Sequence, residues 1–502
     1  MASPSSISNW DDEADVIIVG YGMAGACAAI EAREADSNAD VLVIEKMSED
    51  MAGGNARVSG QSLLVGKNPE ALAAYQRAMS AANPVPEDML QGWAERMADL
   101  EPWIMERADE AGLKYSVGSG WSDGDAVLEF PEFGASEAVT HQSTILPTPS
   151  GVWLTMKGCA ENRKPRFKFE MPLVDLVQDP DTLEVLGVVC GPEGARQAIK
   201  ARRGVILACG GYENNLDMQR NYYGFTNAYP LGTPGNTGDG IKVLQKAGAD
   251  MWHMRNRGQS GGIWPGFKVP DFEGGFLRNT LFTAFSWIDI AADDQRFYNE
   301  TEHLHQTHYK FRHHGTWADV PLHLAQPVHM IFDDVTRQNM CLVTKFMSWT
   351  TVVNRYRWAD DNQPEVDKGW ISSAETIEEL AEKIDRKPAS VLETVNQFNS
   401  ASTAGIDEQF GRTPATLSAI SQGPFYAIEV VPTIVCTSGG AKRTIESEVL
   451  GHDGKCIPRL YEAGELGSMI SDLYQNGSYL TEAMISGRAA GRNAVGLSAW
   501  AD

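Results

Sequence analysis

The sequence predicts an α/β fold in which a parallel-sheet domain is interrupted by one contiguous insert. Three observations carry this reading. An apolar run, Asp15 to Val19, leads into Gly20-Tyr21-Gly22-Met23-Ala24-Gly25 and a small-residue helix, and a second run, Val41 to Ile44, ends on Glu45. A third run, Gly204 to Ala208, passes Cys209 and breaks at the paired glycines Gly210-Gly211. Near the C-terminus, Leu460-Tyr461-Glu462-Ala463-Gly464-Glu465 precedes a Gly- and Ala-rich helical stretch ending at Gly491, so the strand-then-glycine pattern returns.

Each part of the first unit has a mechanical job. Gly20 permits a tight turn, Gly22 lets backbone approach a pyrophosphate, and Gly25 lets helix and strand pack closely. Met23 and Ala24 open the helix, whose free N–H groups and positive dipole end suit phosphate. Glu45 falls 20 positions beyond Gly25, where an acid accepts the hydroxyl protons of an adenosine ribose. Strand, helix, second strand and terminal acid in register indicate a bound dinucleotide, and hence an oxidoreductase.

Further segments extend the pattern: Gly53-Gly54-Asn55-Ala56, Ser59-Gly60, Thr237-Gly238-Asp239-Gly240-Ile241, Gln295-Arg296-Phe297-Tyr298-Asn299-Glu300 and Thr376 to Ala381. With these, essentially the whole chain resembles the flavoprotein-subunit superfamily of fumarate reductase and succinate dehydrogenase. That group also contains 3-ketosteroid dehydrogenases, urocanate reductases and L-aspartate oxidases, and the ketosteroid-dehydrogenase branch is the nearer. The resemblance implies a Rossmann-like FAD-binding domain with an inserted α+β capping (substrate) domain. It implies FAD bound by Glu45 at the ribose, and by Gly53, Gly54, Asn55 and Ala56 along the pyrophosphate and isoalloxazine. Glu465 would meet the ribityl chain, and Ser478, Tyr479 and Leu480 would bring a helix N-terminus to flavin N1 and O2. Lys46, Ser59, Gly60, Ala208, Cys209, Gly210 and Asp239 complete the candidate cofactor set. The respiratory members carry a flavin-linked His just before the paired glycines; Met47 to Ala52 hold none, so the FAD is expected to be non-covalent.

The organisation follows from where these motifs stop and resume. Residues 1–255 form the first part of the FAD-binding domain, including an irregular Trp- and Pro-containing excursion at 115–165. Residues 256–412 form the cap, with a helical stretch from Ala374 to Ser400, and 413–502 return to the FAD-binding domain. The ligand is expected at the seam, over the flavin. A net charge of −25 argues against nucleic acid or anionic membrane as partners. No apolar run approaches the roughly 18 residues needed to span a bilayer, and the polar, acidic N-terminus is no export signal. Seven scattered cysteines without C-x-x-C indicate reduced thiols in the cytoplasm and no iron–sulfur cluster. Without a second G-x-G-x-x-G, a separate electron donor or acceptor is required.

Departures from the fumarate reductase pattern bear on the substrate. Asn299-Glu300 is followed by Thr301-Glu302-His303-Leu304, with no Arg. Cys436 stands where a carboxylate-reading His precedes T-x-G-G, and Tyr474-Gln475-Asn476-Gly477-Ser478-Tyr479 replaces a segment bearing Arg. A site stripped of cations disfavours a small dianion. Tyr474, Asn476 and Gly477 loosely resemble the ketosteroid dehydrogenase segment in which a Tyr and a backbone N–H bind the substrate ketone and stabilise its enolate. Tyr298 and Tyr479 are candidate proton carriers, although a phenol with pKa near 10 needs a local field to act as a base. His303 is a further candidate. Seven of ten histidines lie within 303–329, which reads as polar cap surface with no metal centre expected.

The leading expectation is therefore an FAD-dependent dehydrogenase or reductase of a C–C bond next to a carbonyl, acting on a bulky, largely neutral small molecule such as a 3-ketosteroid or other enone. The alternatives are a fumarate- or urocanate-type reductase, which predicts a surviving Arg pair from Arg255, Arg257 and Arg278, and a non-catalytic flavin electron carrier.

Overall fold

The computed structural model describes the chain except for residues 119–127, 225–226, 257–263, 303–309, 323 and 501–502. Strands β1 (Asp12–Val19) and β2 (Val41–Ile44) flank helix α1 (Met23–Ala35). Residues Val16 to Val19 and Val41 to Ile44 are all buried, the unbroken apolar pattern of strands covered on both faces. Strands β3 (Arg166–Lys168), β4 (Gln197–Leu207) and β5 (Cys456–Glu462) complete a parallel order β5-β4-β1-β2-β3. Antiparallel additions finish the sheet: the hairpin Leu173–Gln178 and Val185–Cys190 beside β4, and Glu448–Leu450 beside β5.

Helix α1 is buried at every residue from Met23 to Ala32 because it is packed on two sides. Toward the sheet, a Cβ on Gly25 would stand 2.0 Å from the Gly20 carbonyl oxygen. Gly20, at φ +105°, would likewise place one 2.2 Å from the Ala208 oxygen. On its other side runs helix α2 (Ser478–Gly496), where Cβ atoms on Gly487 and Gly491 would lie 2.3 Å from the Ala24 and Ala28 oxygens. Main chain lies on main chain at all four points. Gly491→Ala is expected to lower unfolding stability by about 1–3 kcal/mol through overpacking. A urea titration checks this, and an unchanged midpoint refutes the contact.

Beneath α2, Glu462, at the end of β5, meets Arg443 and Glu482. Arg443 donates to the Gly467 oxygen (3.0 Å), to the Glu462 carbonyl (3.1 Å) and to the Glu482 carboxylate. The Glu462 carboxyl accepts Ala441 N–H at 3.0 Å. Burial pushes Glu462 up to about 8, from 4.5, despite the nearby Arg443. Since the folded value is the higher, its contribution to stability is full below pH 4.5 and is lost as pH rises to about 8. Glu462→Gln is expected to gain stability over the native chain progressively from pH 5 to 8 and to level off above. Urea midpoints across that range would show a pH-independent difference if the site titrates normally.

The chain divides into two compact units: residues 1–224, 232–262 and 435–502, and residues 225–231 and 263–434. The expected boundary at 255/256 falls inside the first unit. The second extends past the expected return at 413 because Phe425–Ile434 is the central strand of its own sheet. That strand pairs antiparallel with Trp264–Phe267, Val328–Asp333 and Ser372–Ala374, and parallel with Tyr229–Pro230. Arg412 ties the same stretch inward, donating to the Trp287 oxygen at 2.8 Å. The helical stretch expected from Ala374 is two helices, Ile377–Lys383 and Pro388–Ala404, broken where Asp385 takes φ +55° and Pro388 starts afresh. The excursion at 115–165 is more regular than its composition suggests, with strand Val139–Leu146 and helix Gly151–Asn162. Among the described residues no helix is long and apolar enough to cross a membrane.

Candidate functional site

The carboxyl ends of four parallel strands converge on one pocket, where the connections from the neighbouring strands β1 and β4 run in opposite directions along the sheet. That is the position at which open α/β sheets bind ligands. Beyond β1 come Gly20 to Ala24, beyond β2 Glu45, Lys46 and Met47, beyond β4 Ala208 to Gly210, and beyond β5 Ala463 to Glu465. Gly54, Asn55, Ala56 and Asp239 add to the wall, as do Tyr479, Leu480 and Ala483 from α2. The space not filled by atoms is about 900 Å³, part of it open to solvent.

The chemistry of the wall fits a dinucleotide. Helix α1 starts at Gly22 with no side-chain cap and no acid in its first turn, so its N–H groups are left for an anion. A Cβ on Gly22 would meet nothing closer than 3.7 Å, and one on Gly54 nothing closer than 3.6 Å; side chains there would fill the gap between the two glycines. Glu45 is fixed by two backbone donors, Tyr21 N–H at 2.7 Å and Met47 N–H at 2.8 Å, one on each carboxylate oxygen. Burial raises its pKa and those two N–H groups oppose the rise. Lys46 is held by Asp239 at 2.7 Å and Thr237 at 2.8 Å, which joins two candidate segments 193 positions apart.

Of the expected cofactor residues, Gly25, Gly53, Ser59, Gly60 and Ser478 lie off the wall. Gly25 serves the helix–strand contact. Gly53, at φ +124°, turns the chain beneath Trp153, and the Ser59 hydroxyl donates to the Ala56 oxygen at 3.1 Å. Ser478 is fully buried in the first turn of α2, its hydroxyl without a hydrogen-bond partner among the described residues. The wall also contains residues that the sequence reading passed over: Tyr21, Met171, Leu173, Thr233, Gly235 and Asn236. Thr233 to Asn236 directly precede the Thr237-Gly238-Asp239 segment, and that adjacency was the available signal.

At the start of α2, Tyr474 and Tyr479 stack at 4.8 Å and 26°, both nearly buried. The Tyr474 oxygen accepts Gly477 N–H at 2.9 Å, so the two groups expected to face a ketone together are joined to each other. Gly477 is itself constrained: at φ +93° a Cβ would come 2.6 Å from Leu64 N. The Tyr479 hydroxyl shares a hydrogen bond with Ser438. Burial, with Cys436 alongside, drives the Tyr479 phenol well above its usual value, so it keeps its proton at neutral pH.

Behind this turn lies a clasp that the sequence did not announce. Asn476 N–H donates to the Glu129 carboxylate, Glu129 N–H donates to Gln475 Oε1 at 3.1 Å, and Tyr75 donates to Gln475 Oε1 at 2.9 Å. Gln142 donates to the Asn476 oxygen at 2.8 Å.

Tyr298 and Arg278 lie in the second unit. Tyr298 is buried and donates to Asp289, while Arg278 donates to Tyr298 at 2.9 Å and to Asp289 at 2.6 Å. Arg278 is thereby neutralised, Arg255 is exposed, and Arg257 falls outside the described residues. His303 also falls outside them. Among the described residues no cluster of three or more His, Cys, Asp or Glu is placed to hold a metal ion.

Residues 15–479 match the FAD binding domain family. The chain belongs to that family. It is 28% identical to digoxin reductase of Eggerthella lenta, over 98% of this chain and 89% of that one. It is 27% identical to vinyl phenol reductase of Lactiplantibacillus plantarum, over 96% and 97%. The fold matches the crystal structure of 3-ketosteroid delta1-dehydrogenase from Sterolibacterium denitrificans with a TM-score of 0.75 at 20% identity, covering 96% of this chain and 99% of that one. This is an FAD-dependent oxidoreductase, and its relatives include fumarate reductases and 3-oxosteroid 1-dehydrogenases.

Glu45→Ala is expected to raise the FAD dissociation constant roughly 30-fold, the equivalent of about 2 kcal/mol for hydrogen bonds to a charged acceptor. Titration of flavin fluorescence checks it, and undiminished affinity would remove Glu45 from the ribose site.

Proposed function

We propose that the protein exchanges hydride with a C=C bond conjugated to a carbonyl or other electron-withdrawing group, in a bulky and largely neutral substrate. The observation that carries this is the uncharged hydroxyl array at the start of α2: Tyr474 on Gly477 N–H, stacked on Tyr479, which pairs with Ser438. FAD, when bound, supplies the hydride exchange. Tyr474 is the group that hydrogen-bonds the substrate oxygen. By accepting Gly477 N–H its phenol becomes a stronger donor, so it stabilises negative charge developing on a carbonyl without carrying charge itself. A cationic pocket would be needed for a small dicarboxylate, whereas Cys436 and Asn476 stand at the positions where the resemblance places a His and an Arg-bearing segment. The names of digoxin reductase and vinyl phenol reductase, two relatives matched over nearly the whole chain, support a bulky or aromatic substrate and the reductive direction.

The FAD is held non-covalently in this reading, because Met47 to Ala52 offer no His. Electrons arrive from a separate carrier, and the seven free thiols favour the cytoplasm.

The test is stopped-flow reoxidation of the anaerobically reduced protein by a panel of a 3-ketosteroid enone, a cinnamate-type acid, fumarate and urocanate. Rapid reoxidation by the neutral enone is expected, and turnover confined to the carboxylates would overturn the assignment. Tyr474→Phe is expected to lower kcat for the enone by 10²–10³-fold while retaining bound flavin, the usual cost of removing one such donor. A change in KM alone would make Tyr474 a packing residue.

A further inference from the structure

At the cofactor wall two carboxyl groups are tied to one amide. Asn55 Nδ2 donates to Glu213 Oε1 at 2.7 Å and to Glu465 Oε2 at 3.0 Å. Its Oδ1 accepts Thr233 N–H at 2.9 Å, which fixes the orientation of the amide. Asn236 Nδ2 donates to the same Glu213 oxygen at 2.8 Å. Glu465 faces the pocket, whereas Glu213 is fully buried behind it. Among the described residues neither carboxyl has a Lys or Arg partner. The groups that face them include Asn55, Asn236, Thr437 and Tyr223 around Glu213, and Asn55, Cys436, Tyr479 and Glu482 around Glu465.

Two adjacent carboxylates without a cation cannot both ionise cheaply in a dry interior. We propose that Glu213 is a positioning residue that holds one proton jointly with Glu465 across Asn55, so that FAD binding to this pocket takes up a proton. The bound cofactor removes water from Glu465 and brings pyrophosphate charge into the same cavity, and both effects favour the singly protonated pair. The proton comes from bulk water, and no bond to the cofactor forms or breaks. In the protein without cofactor burial pushes Glu213 up to about 7, and burial together with the Glu213 charge raises Glu465, the directions expected of a pair that retains a proton. On this proposal the pair without cofactor gives up its proton as pH rises, and binding recovers it. The pair titrates as a unit, so the proton is not assigned to one oxygen.

Linkage gives the sign of the effect. The FAD dissociation constant of the native protein is expected to rise about tenfold from pH 7 to pH 8.5. Glu213→Gln retains an acceptor for Asn55 and Asn236 but needs no proton, and its dissociation constant is expected to change less than twofold over that interval. Calorimetric titrations in buffers of different ionisation enthalpy should give close to one proton taken up at pH 8 for the native protein and none for Glu213→Gln. Infrared spectra of the holoprotein should show a protonated-carboxyl stretch that Glu213→Gln loses. If Glu213→Gln does not fold, Glu465→Gln is expected to abolish the same pH slope. A native dissociation constant that is flat across this range overturns the proposal, as does a Glu213→Gln slope equal to the native one.

Discussion

The structure of the first unit depends on one constraint: the main chain of α1 must lie against main chain on two sides at once. Gly20 and Gly25 bring the helix onto the end of β1, and Gly487 and Gly491 bring α2 onto the helix. None of these contacts has space for a methyl group. What is gained is position. A helix held this closely has its N-terminus at the end of β1, so its unpaired N–H groups open onto the pocket. The same closeness leaves α1 no amphipathic pattern, because it has no solvent face along most of its length.

From that placement the electrostatics of the pocket follow. An uncapped helix end supplies positive potential to the pocket, and Glu45, pinned by two backbone donors, presents a fixed carboxylate there. Lys46 does not confront the cavity as a lone cation, since Asp239 and Thr237 hold it. Anion binding therefore rests on main-chain dipoles, whose orientation the fold has already fixed and which require no counterion. Glu213 and Glu465 are the exception, a pair of acids held by the amides of Asn55 and Asn236 with no Lys or Arg partner among the described residues.

Sequence reading reached the parts of this site that are local in the chain. The glycine turn, its helix and the acid ending β2 lie within about thirty residues, and each role follows from spacing. Glu465, Asp239 and Asn55 were legible only through resemblance, because what joins them is tertiary. The clasp on Asn476 was not legible at all. Glu129 and Asn476 are 347 positions apart, and a Glu after an irregular stretch carries no mark of a buried acceptor. The two-helix form of 377–404 and the ordered helix at 151–162 were missed for another reason. In the first, Pro388 restarts a helix that composition reads as continuous. In the second, Trp and Pro mask a helix buried against α1.

The arginines of the second unit bear on the substrate by what they already bind. Arg278 is spent on Asp289 and Tyr298, Arg296 on Glu300 and Asp407, and Arg412 on Glu300 and three main-chain oxygens. All three are nearly or fully buried. A buried guanidinium paired with a carboxylate costs several kcal/mol to strip of its partner, because the abandoned carboxylate stays buried. Such groups hold a sheet together and make poor receptors for a second anion. Tyr298, sharing Asp289 with Arg278, belongs to the same scaffold: its proton lies on a hydrogen bond to a carboxylate, and Arg278 donates to its oxygen. In the hydroxyl array beside α2 the hydrogen bonds of Tyr474 to Gly477 N–H and of Tyr479 to Ser438 run to uncharged groups. Its members pair with a backbone N–H and with a serine, groups that polarise a donor without neutralising a charge, and that is the chemistry a carbonyl oxygen calls for.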